Sequence, residues 1–118
     1  MAEAEDPFGE GRLVPTEETC ERALSWMSKN TGALSQAIAN RQHTEAWIKA
    51  VEAIEKAKHG GEPAHVQERE ARASPAFKGA LEAYRDASVE EQRLRYTWQL
   101  AMTVLDVWRT KCANERRV

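Results

Sequence analysis

The sequence predicts an all-α fold, a long antiparallel helical hairpin with a short third helix near its tip, which forms a bundle on oligomerisation. Residues 74–115 space their apolar positions by threes and fours, which is the period of a helix and not of a strand. Residues 16–58 repeat that pattern over a matching length. Two adjacent glycines, Gly60 and Gly61, mark a turn between the two stretches. We therefore expect two long helices folded back on each other.

The composition favours a single soluble domain. The 118 residues carry 31% charged residues, a net charge of -2 and a mean hydropathy of −0.69. No run approaches the roughly eighteen apolar residues that a membrane span needs, and the acidic first residues do not resemble a secretory signal. We expect a cytoplasmic protein that does not bind membranes.

The charge is distributed unevenly along the chain. Residues 1–21 contain seven acidic residues and one base, Arg12, whereas residues 93–118 contain six bases and two acids, Asp106 and Glu115. The N-terminal acids are Glu3, Glu5, Asp6, Glu10, Glu17, Glu18 and Glu21. One end of the sequence is acidic and the other is basic.

Residues 1–14 are predicted to be a disordered acidic arm, and residues 15–118 a single helical-hairpin domain. The arm has no hydrophobic periodicity, and Phe8 is its one large aromatic residue. The run Asp6-Pro7-Phe8 fits a short peptide that docks in a partner's groove. The simpler interpretation is a solubilising tail.

The first long helix is predicted to begin at Pro15 and Thr16, because the Thr16 hydroxyl can cap free first-turn amides. Gly32 lowers the helix propensity, and we expect a kink or short break there. The helix should end near Lys58 or His59, where Gly60 and Gly61 supply the conformations that a helix cap requires. The predicted apolar stripe contains Cys20, Leu24, Met27, Thr31, Leu34, Ile38, Trp47, Ile48, Val51 and Ile54.

A short helix is predicted from Pro63 to Ala73, and it is mostly polar. It is either a separate element or an N-terminal extension of the last helix, kinked at Ser74 and Pro75.

The last helix is predicted to start at Ser74 and Pro75, with Ser74 as the cap. Glu91 alone interrupts its apolar pattern. The stripe contains Phe77, Leu81, Tyr84, Ala87, Glu91, Leu94, Trp98, Ala101, Leu105, Trp108 and Cys112. In an antiparallel hairpin, residues whose numbers sum to about 132 face each other, which pairs Leu24 with Trp108 and Met27 with Leu105.

The sequence contains no pattern typical of an enzyme or a cofactor site. It has no glycine-rich phosphate loop, paired-cysteine zinc pattern or serine in a strained turn. The histidines His43, His59 and His65 lack metal-ligand spacing. Cys20 and Cys112 are interpreted as reduced packing residues. We expect no enzymatic activity, metal or cofactor.

Basic and aromatic residues alternate in the last quarter of the chain, a combination that suits single-stranded nucleic acid. The predicted nucleic-acid-binding residues are Arg93, Arg95, Arg109, Lys111, Arg116 and Arg117. The alternative is structural, because aromatic rings on the stripe belong to a core and cations in a last turn complement the helix dipole.

The chain is also predicted to form a homo-oligomer, since apolar side chains remain beside the main stripe. The predicted interface contains Trp98, Leu100, Val104, Val107 and Trp108.

A short motif adds a family resemblance. The run 70–78, EARASPAFK, is followed about thirty residues later by Val107-Trp108-Arg109-Thr110 and Asn114. Over residues 45–116 the chain resembles short helical proteins of tailed bacteriophages and is similar, more distantly, to the UvsY recombination mediators. The resemblance implies an oligomer that binds single-stranded DNA and helps to load a recombinase.

The sequence-based hypothesis is therefore a non-enzymatic phage accessory protein for DNA recombination or replication, located in the host cytoplasm. It would bind single-stranded DNA, a recombination protein, or both. The alternative is a protein-interaction or inhibitor module whose acidic helical face blocks a partner's basic or DNA-binding surface.

Overall fold

The computed structural model of the chain describes Phe8 and residues 14–116, and these contain three helices and no strand. Helix α1 spans Glu17–Ala57, α2 spans Ala64–Ala73 and α3 spans Pro75–Arg116. The all-α prediction, with two long helices and one short one, is confirmed. Most of the predicted acidic arm and Arg117 lie outside the described residues. No described helix combines the length and the apolarity that crossing a bilayer requires.

Helix α1 begins with a reciprocal pair of threonines. The Thr19 amide donates to Thr16 Oγ1 at 3.3 Å, and the Thr16 amide donates to Thr19 Oγ1 at 2.8 Å. Glu17 and Glu18 occupy the first turn, where carboxylates interact favourably with the positive end of the helix dipole. The predicted cap at Thr16 is confirmed.

Helix α1 continues through Gly32, so the predicted break there is wrong. The polar neighbours that lower the helix propensity are satisfied inside the helix. Asn30 Nδ2 donates to the Trp26 carbonyl and Thr31 Oγ1 donates to the Met27 carbonyl, both at 2.8 Å. The roughly 1 kcal/mol penalty of a glycine is then too small to interrupt 41 residues of helix.

The turn after α1 closes with short-range hydrogen bonds. The Lys58 amide donates to the Glu55 carbonyl at 3.2 Å, and the His59 amide donates to the Lys56 carbonyl at 3.0 Å. Neither Gly60 nor Gly61 has a φ in the left-handed region, so the expected left-handed glycine cap is absent from this turn.

Ser74 separates α2 from α3, so residues 63–73 are a separate element and not an extension of the last helix. Its backbone is extended, with φ −70° and ψ 147°, so the two helices do not form one continuous element. Ser74 Oγ donates to the Ala71 carbonyl at 2.7 Å and accepts from the Phe77 amide at 3.1 Å. One hydroxyl therefore binds the last turn of α2 and caps α3.

The described residues form two compact units. The first combines the residues up to Ala33 with those from Leu94 onward, and the second is Leu34–Arg93. In the first unit, Phe8, Ala23 and Ala101 are fully buried, and four partly buried side chains pack around them. Those four are Trp26, Met27, Val104 and Leu105.

In the second unit, Val51 of α1 packs with Phe77 and Ala80 of α3, and Ile48 covers them. Glu91, the residue that interrupts the apolar stripe, is also buried in this unit. It accepts a hydrogen bond from Arg41 Nε at 3.0 Å. A paired carboxylate accounts for the interruption.

Several large residues predicted to lie in the core are exposed. Leu24, Trp47, Ile54 and Leu81 retain 55%, 46%, 52% and 45% of their accessible surface. The residues that are buried instead are small or lie one position along the helix from the predicted ones. They include Ala23, Ala37 and Ala80. Alanine lets helix backbones approach closely, so large neighbours about 100° around the helix remain at the edge of the contact.

Candidate nucleic-acid interface

The last three turns of α3 present one continuous face to a cavity of about 400 Å³ in the first unit. Its α3 residues recur at helical spacing, which puts them on the same side of the helix. They are Leu105, Trp108, Arg109, Cys112, Ala113 and Arg116. Leu24 of α1 lines the same cavity, so the side chain displaced from the core contributes to its apolar wall.

The Trp108 ring provides an aromatic surface beside two cationic side chains of this cavity. Trp108 is half-buried, and small side chains at Cys112 and Ala113 leave space one turn further along α3. Lys111 Nζ lies 5.2 Å from the centroid of the Trp108 ring. This is a cation–π contact, and it holds a third cation next to the aromatic surface.

Arg109 and Arg116 supply the guanidinium groups of the cavity. The Arg109 side chain is 80% exposed, and its Nη1 lies 3.7 Å from Asp106 Oδ1. An ion pair this long and this exposed stabilises the fold little. Arg109 can therefore leave Asp106 and bind an anionic ligand at a small cost in free energy. Arg116 is exposed in the last turn of α3.

The structure does not bring all the predicted DNA-binding residues together. Arg93 belongs to the second unit, where its Nε and Nη2 donate to both carboxylate oxygens of Glu90 at 3.1 and 2.7 Å. This hydrogen bonding raises the pKa of Arg93 and lowers that of Glu90. Arg95 is exposed in the first unit, about 21 Å along α3 from Arg109. Arg117 lies outside the described part of the chain.

The predicted oligomer-interface residues divide into packed and exposed side chains. Trp98 makes an edge contact with Trp26 at 6.2 Å, and Val104 packs on the Phe8 cluster. Leu100 and Val107 are 38% and 43% exposed, on the face that also carries Tyr96 at 64%. Trp108 lines the cavity.

One feature of this unit was missed by sequence reasoning. Phe8 is buried although it was predicted to lie in a disordered arm, and the available signal was that it is the one large aromatic there. Cys20 is buried near Cys112, which lines the cavity. Burial raises the pKa of the Cys20 thiol, and the neighbouring Cys112 and Glu17 raise it further.

The cavity offers an aromatic ring, two guanidinium groups and an apolar wall, and the Lys111 ammonium lies over the Trp108 ring. Among Phe8 and residues 14–116, no three His, Cys, Asp or Glu side chains are grouped to hold a metal ion. No protein-family model, curated protein or solved structure matches this chain.

Proposed function

We propose that the chain is a non-catalytic phage accessory protein of DNA recombination or replication, which acts as a homo-oligomer in the host cytoplasm. It binds single-stranded DNA, and a recombination or replication protein is its second class of partner. The observation that carries the proposal is the cavity lined by Trp108, Arg109 and Arg116, with Lys111 over the Trp108 ring.

The chemistry of that cavity matches the two parts of a nucleotide. A base can stack on the Trp108 ring, and the backbone phosphates of the DNA can bind Arg109 and Arg116. A volume of about 400 Å³ falls in the range of small-molecule sites. Single-stranded DNA fits better than a duplex, because only unpaired bases expose their faces to a protein ring.

The electrostatics of the sequence favour the same end of α3. Residues 93–118 carry six bases against Asp106 and Glu115, and the intrahelical pairing of Arg93 with Glu90 occurs outside the cavity. Cations near the C-terminal end of a helix also complement the helix dipole. Replacing them therefore has to be tested for stability as well as for DNA binding.

The proposed architecture is an antiparallel helical hairpin that associates into a bundle. Contacts inside the second unit support the antiparallel direction, since Arg41 bonds to Glu91 whereas Val51, further along α1, packs on Phe77 and Ala80. The exposed face with Tyr96, Leu100 and Val107 supports association, because apolar faces of this kind are usually covered in like chains.

Fluorescence anisotropy with a labelled oligothymidine at low and moderate salt tests DNA binding. We expect salt-sensitive binding that weakens at least about tenfold when Arg109 and Arg116 are both changed to alanine, with a smaller salt dependence. Arg85→Ala is the matched control, because Arg85 is an exposed α3 arginine in the second unit that pairs with Glu82. Equal losses in both variants would contradict the assignment to the cavity.

The alternative is an interaction module that works through an acidic face. Glu17 and Glu21 are exposed at the start of α1, which supports it. No DNA binding at low salt by the folded protein would overturn the main proposal and favour this alternative.

A further inference from the structure

Phe8 fills a small apolar pocket in the first unit. It is fully buried and is the largest fully buried side chain among the described residues. Its ring makes an edge contact with Trp26 at a centroid distance of 6.0 Å. Such contacts add directional stabilisation to the burial of the ring.

The walls of this pocket come from α1 and α3. Ala23 and Ala101 are fully buried beside Phe8, and Trp26, Met27, Val104 and Leu105 surround them. We call these six wall residues the Phe8 socket. The two alanines leave the space that the ring fills, and Trp26 also makes an edge contact with Trp98 at 6.2 Å. The helices thus build the socket and the N-terminal segment supplies its occupant.

We propose that the Phe8 socket is a peptide-docking site, that residues 1–12 of this chain are its ligand, and that one copy's residues 1–12 can bind the socket of a second copy. In the sequence Phe8 stands among Glu3, Glu5, Asp6 and Glu10, so the ligand is an acidic peptide with one phenylalanine anchor. Exchange of an identical element between copies is a low-cost route to association.

The phenylalanine ring provides the specificity of the site. Trp26 also lines a surface cavity of about 480 Å³ with Arg22 and Lys29, but Glu18 and Glu21 line it too. This mixed charge gives little net attraction to an acidic peptide. Recognition therefore depends on burial of the ring, and a free peptide should bind in the high-micromolar to millimolar range.

The covalent link to α1 makes the docking sensitive to protein concentration. A segment tethered by a short linker acts at an effective concentration in the millimolar range. In dilute solution the socket is therefore occupied by Phe8 of the same chain. Exchange between copies increases at high local protein concentration, as in an oligomer. This inference does not depend on DNA binding, and Arg109→Ala/Arg116→Ala should keep peptide docking.

A synthetic peptide of residues 1–12 tests the site on the Phe8→Ala variant. We expect saturable one-to-one binding detected by tryptophan fluorescence, and no binding of the same peptide with alanine in place of phenylalanine. The wild-type chain should bind the peptide at least about tenfold more weakly, because its own Phe8 competes. Equal binding of both peptides, or no binding to a folded Phe8→Ala chain, would overturn the proposal.

A second measurement keeps the test decisive if Phe8→Ala does not fold. The chain has two phenylalanines, Phe8 and Phe77, so 4-fluorophenylalanine labelling of the wild type gives two fluorine resonances. Excess peptide should move the Phe8 resonance toward its solvent-exposed position and leave that of Phe77 unchanged. A Phe8 resonance that does not respond to millimolar peptide would contradict a docking site.

Complementary variants test exchange between copies. Phe8→Ala keeps the socket without its ligand, and Ala101→Leu fills the socket and releases the ligand. Energy transfer between differently labelled chains should rise when the two variants are mixed, above the level of the double variant alone. An unchanged signal would overturn exchange between copies.

Discussion

Arg41 of α1 and Glu91 of α3 form a partly buried ion pair, with Arg41 Nε donating to Glu91 Oε1 at 3.0 Å. The Glu91 side chain is only 10% exposed. Arg41 Nη1 also donates to Glu45 Oε2 at 3.0 Å. Hydrogen bonding to Glu91, and secondarily to Glu45, raises the pKa of Arg41. The pair joins two helices at the one charged position of the α3 stripe.

Glu91→Ala should lower the free energy of unfolding by about 2 kcal/mol, because it leaves Arg41 partly buried without its main partner. Arg41→Met/Glu91→Leu should recover to within about 1 kcal/mol of wild type, since apolar side chains of similar size can replace such a pair. Urea denaturation measures both. Glu45→Ala is the control and should have little effect, because Glu45 is 54% exposed. A fully stable Glu91→Ala would show that the pair contributes nothing.

Stability should fall as the pH drops below about 4.5. Hydrogen bonds from Lys56, Lys58 and Arg93 lower the pKa values of Glu52, Glu55 and Glu90, respectively. A carboxylate whose pKa is lower in the folded state stabilises that state above its unfolded pKa, and the contribution disappears as the pH falls through the folded pKa. Thermal melts between pH 7 and 3 measure the loss.

Glu55→Gln is the variant that assigns part of this pH dependence, because the Glu55 side chain is 10% exposed and pairs with Lys58 Nζ at 2.6 Å. Its melting temperature should depend less steeply on pH than that of wild type. Glu82→Gln, at a 64% exposed side chain, serves as the control. Identical pH profiles for wild type and Glu55→Gln would rule out this contribution.

Trp98→Ala should reduce the free energy of unfolding by about 3 kcal/mol, since it leaves a gap beside Trp26 in the first unit. Trp47→Ala should change it by less than about 1 kcal/mol, because Trp47 is 46% exposed. Thermal melting compares the two variants. Equal and small effects would indicate that Trp98 is a surface ring.

Cys20 and Cys112 should form an intramolecular disulfide on mild oxidation. Both are free, Cys20 is buried in the first unit, and Cys112 lines the cavity of the same unit. Because burial raises the pKa of the Cys20 thiol, the reaction should be faster at alkaline pH, where more thiolate is present. Non-reducing electrophoresis shows the product, and Cys112→Ser should abolish it. A purely intermolecular crosslink would contradict the proposed hairpin register.

The protein should self-associate at micromolar concentration, as a dimer or larger assembly. Leu100→Lys/Val107→Lys should weaken association by placing charges on the exposed α3 face. Met102→Lys is the control, because Met102 is also exposed but lies about 160° around the helix from Leu100. Light scattering measures the mass, and a 13.3 kDa species that melts cooperatively would contradict self-association.

The starts of α1 and α3 could be predicted because they depend on local chemistry. Hydroxyls at Thr16 and Ser74 cap the helices that follow them, and a pattern of neighbouring residues is enough to reveal this. The break at Gly32 was predicted wrongly, because side-chain bonds back to the helix at Asn30 and Thr31 satisfy the polar groups there.

The composition of the core was harder to predict. Hydrophobicity ranks Leu24 above Ala23, yet the smaller residue is buried, since close helix packing selects for volume and not for transfer free energy. The burial of Phe8 depends on a contact between residues far apart in sequence, Phe8 and Ala101. Helical periodicity contains no information about such a contact. For the same reason, the pattern of basic and aromatic residues predicted that Arg93 acts together with the cations of the cavity, although Arg93 pairs with Glu90.

The alanines of the first unit also affect how this protein responds to mutagenesis. A conventional alanine scan replaces every side chain by alanine and therefore leaves Ala23 and Ala101 unchanged. These two positions would be recorded as silent although both are fully buried. Added volume at either one should be unfavourable, by about 1–3 kcal/mol, because a filled site cannot accept further methylene groups without strain. A saturation library would detect both positions through their depletion of large residues.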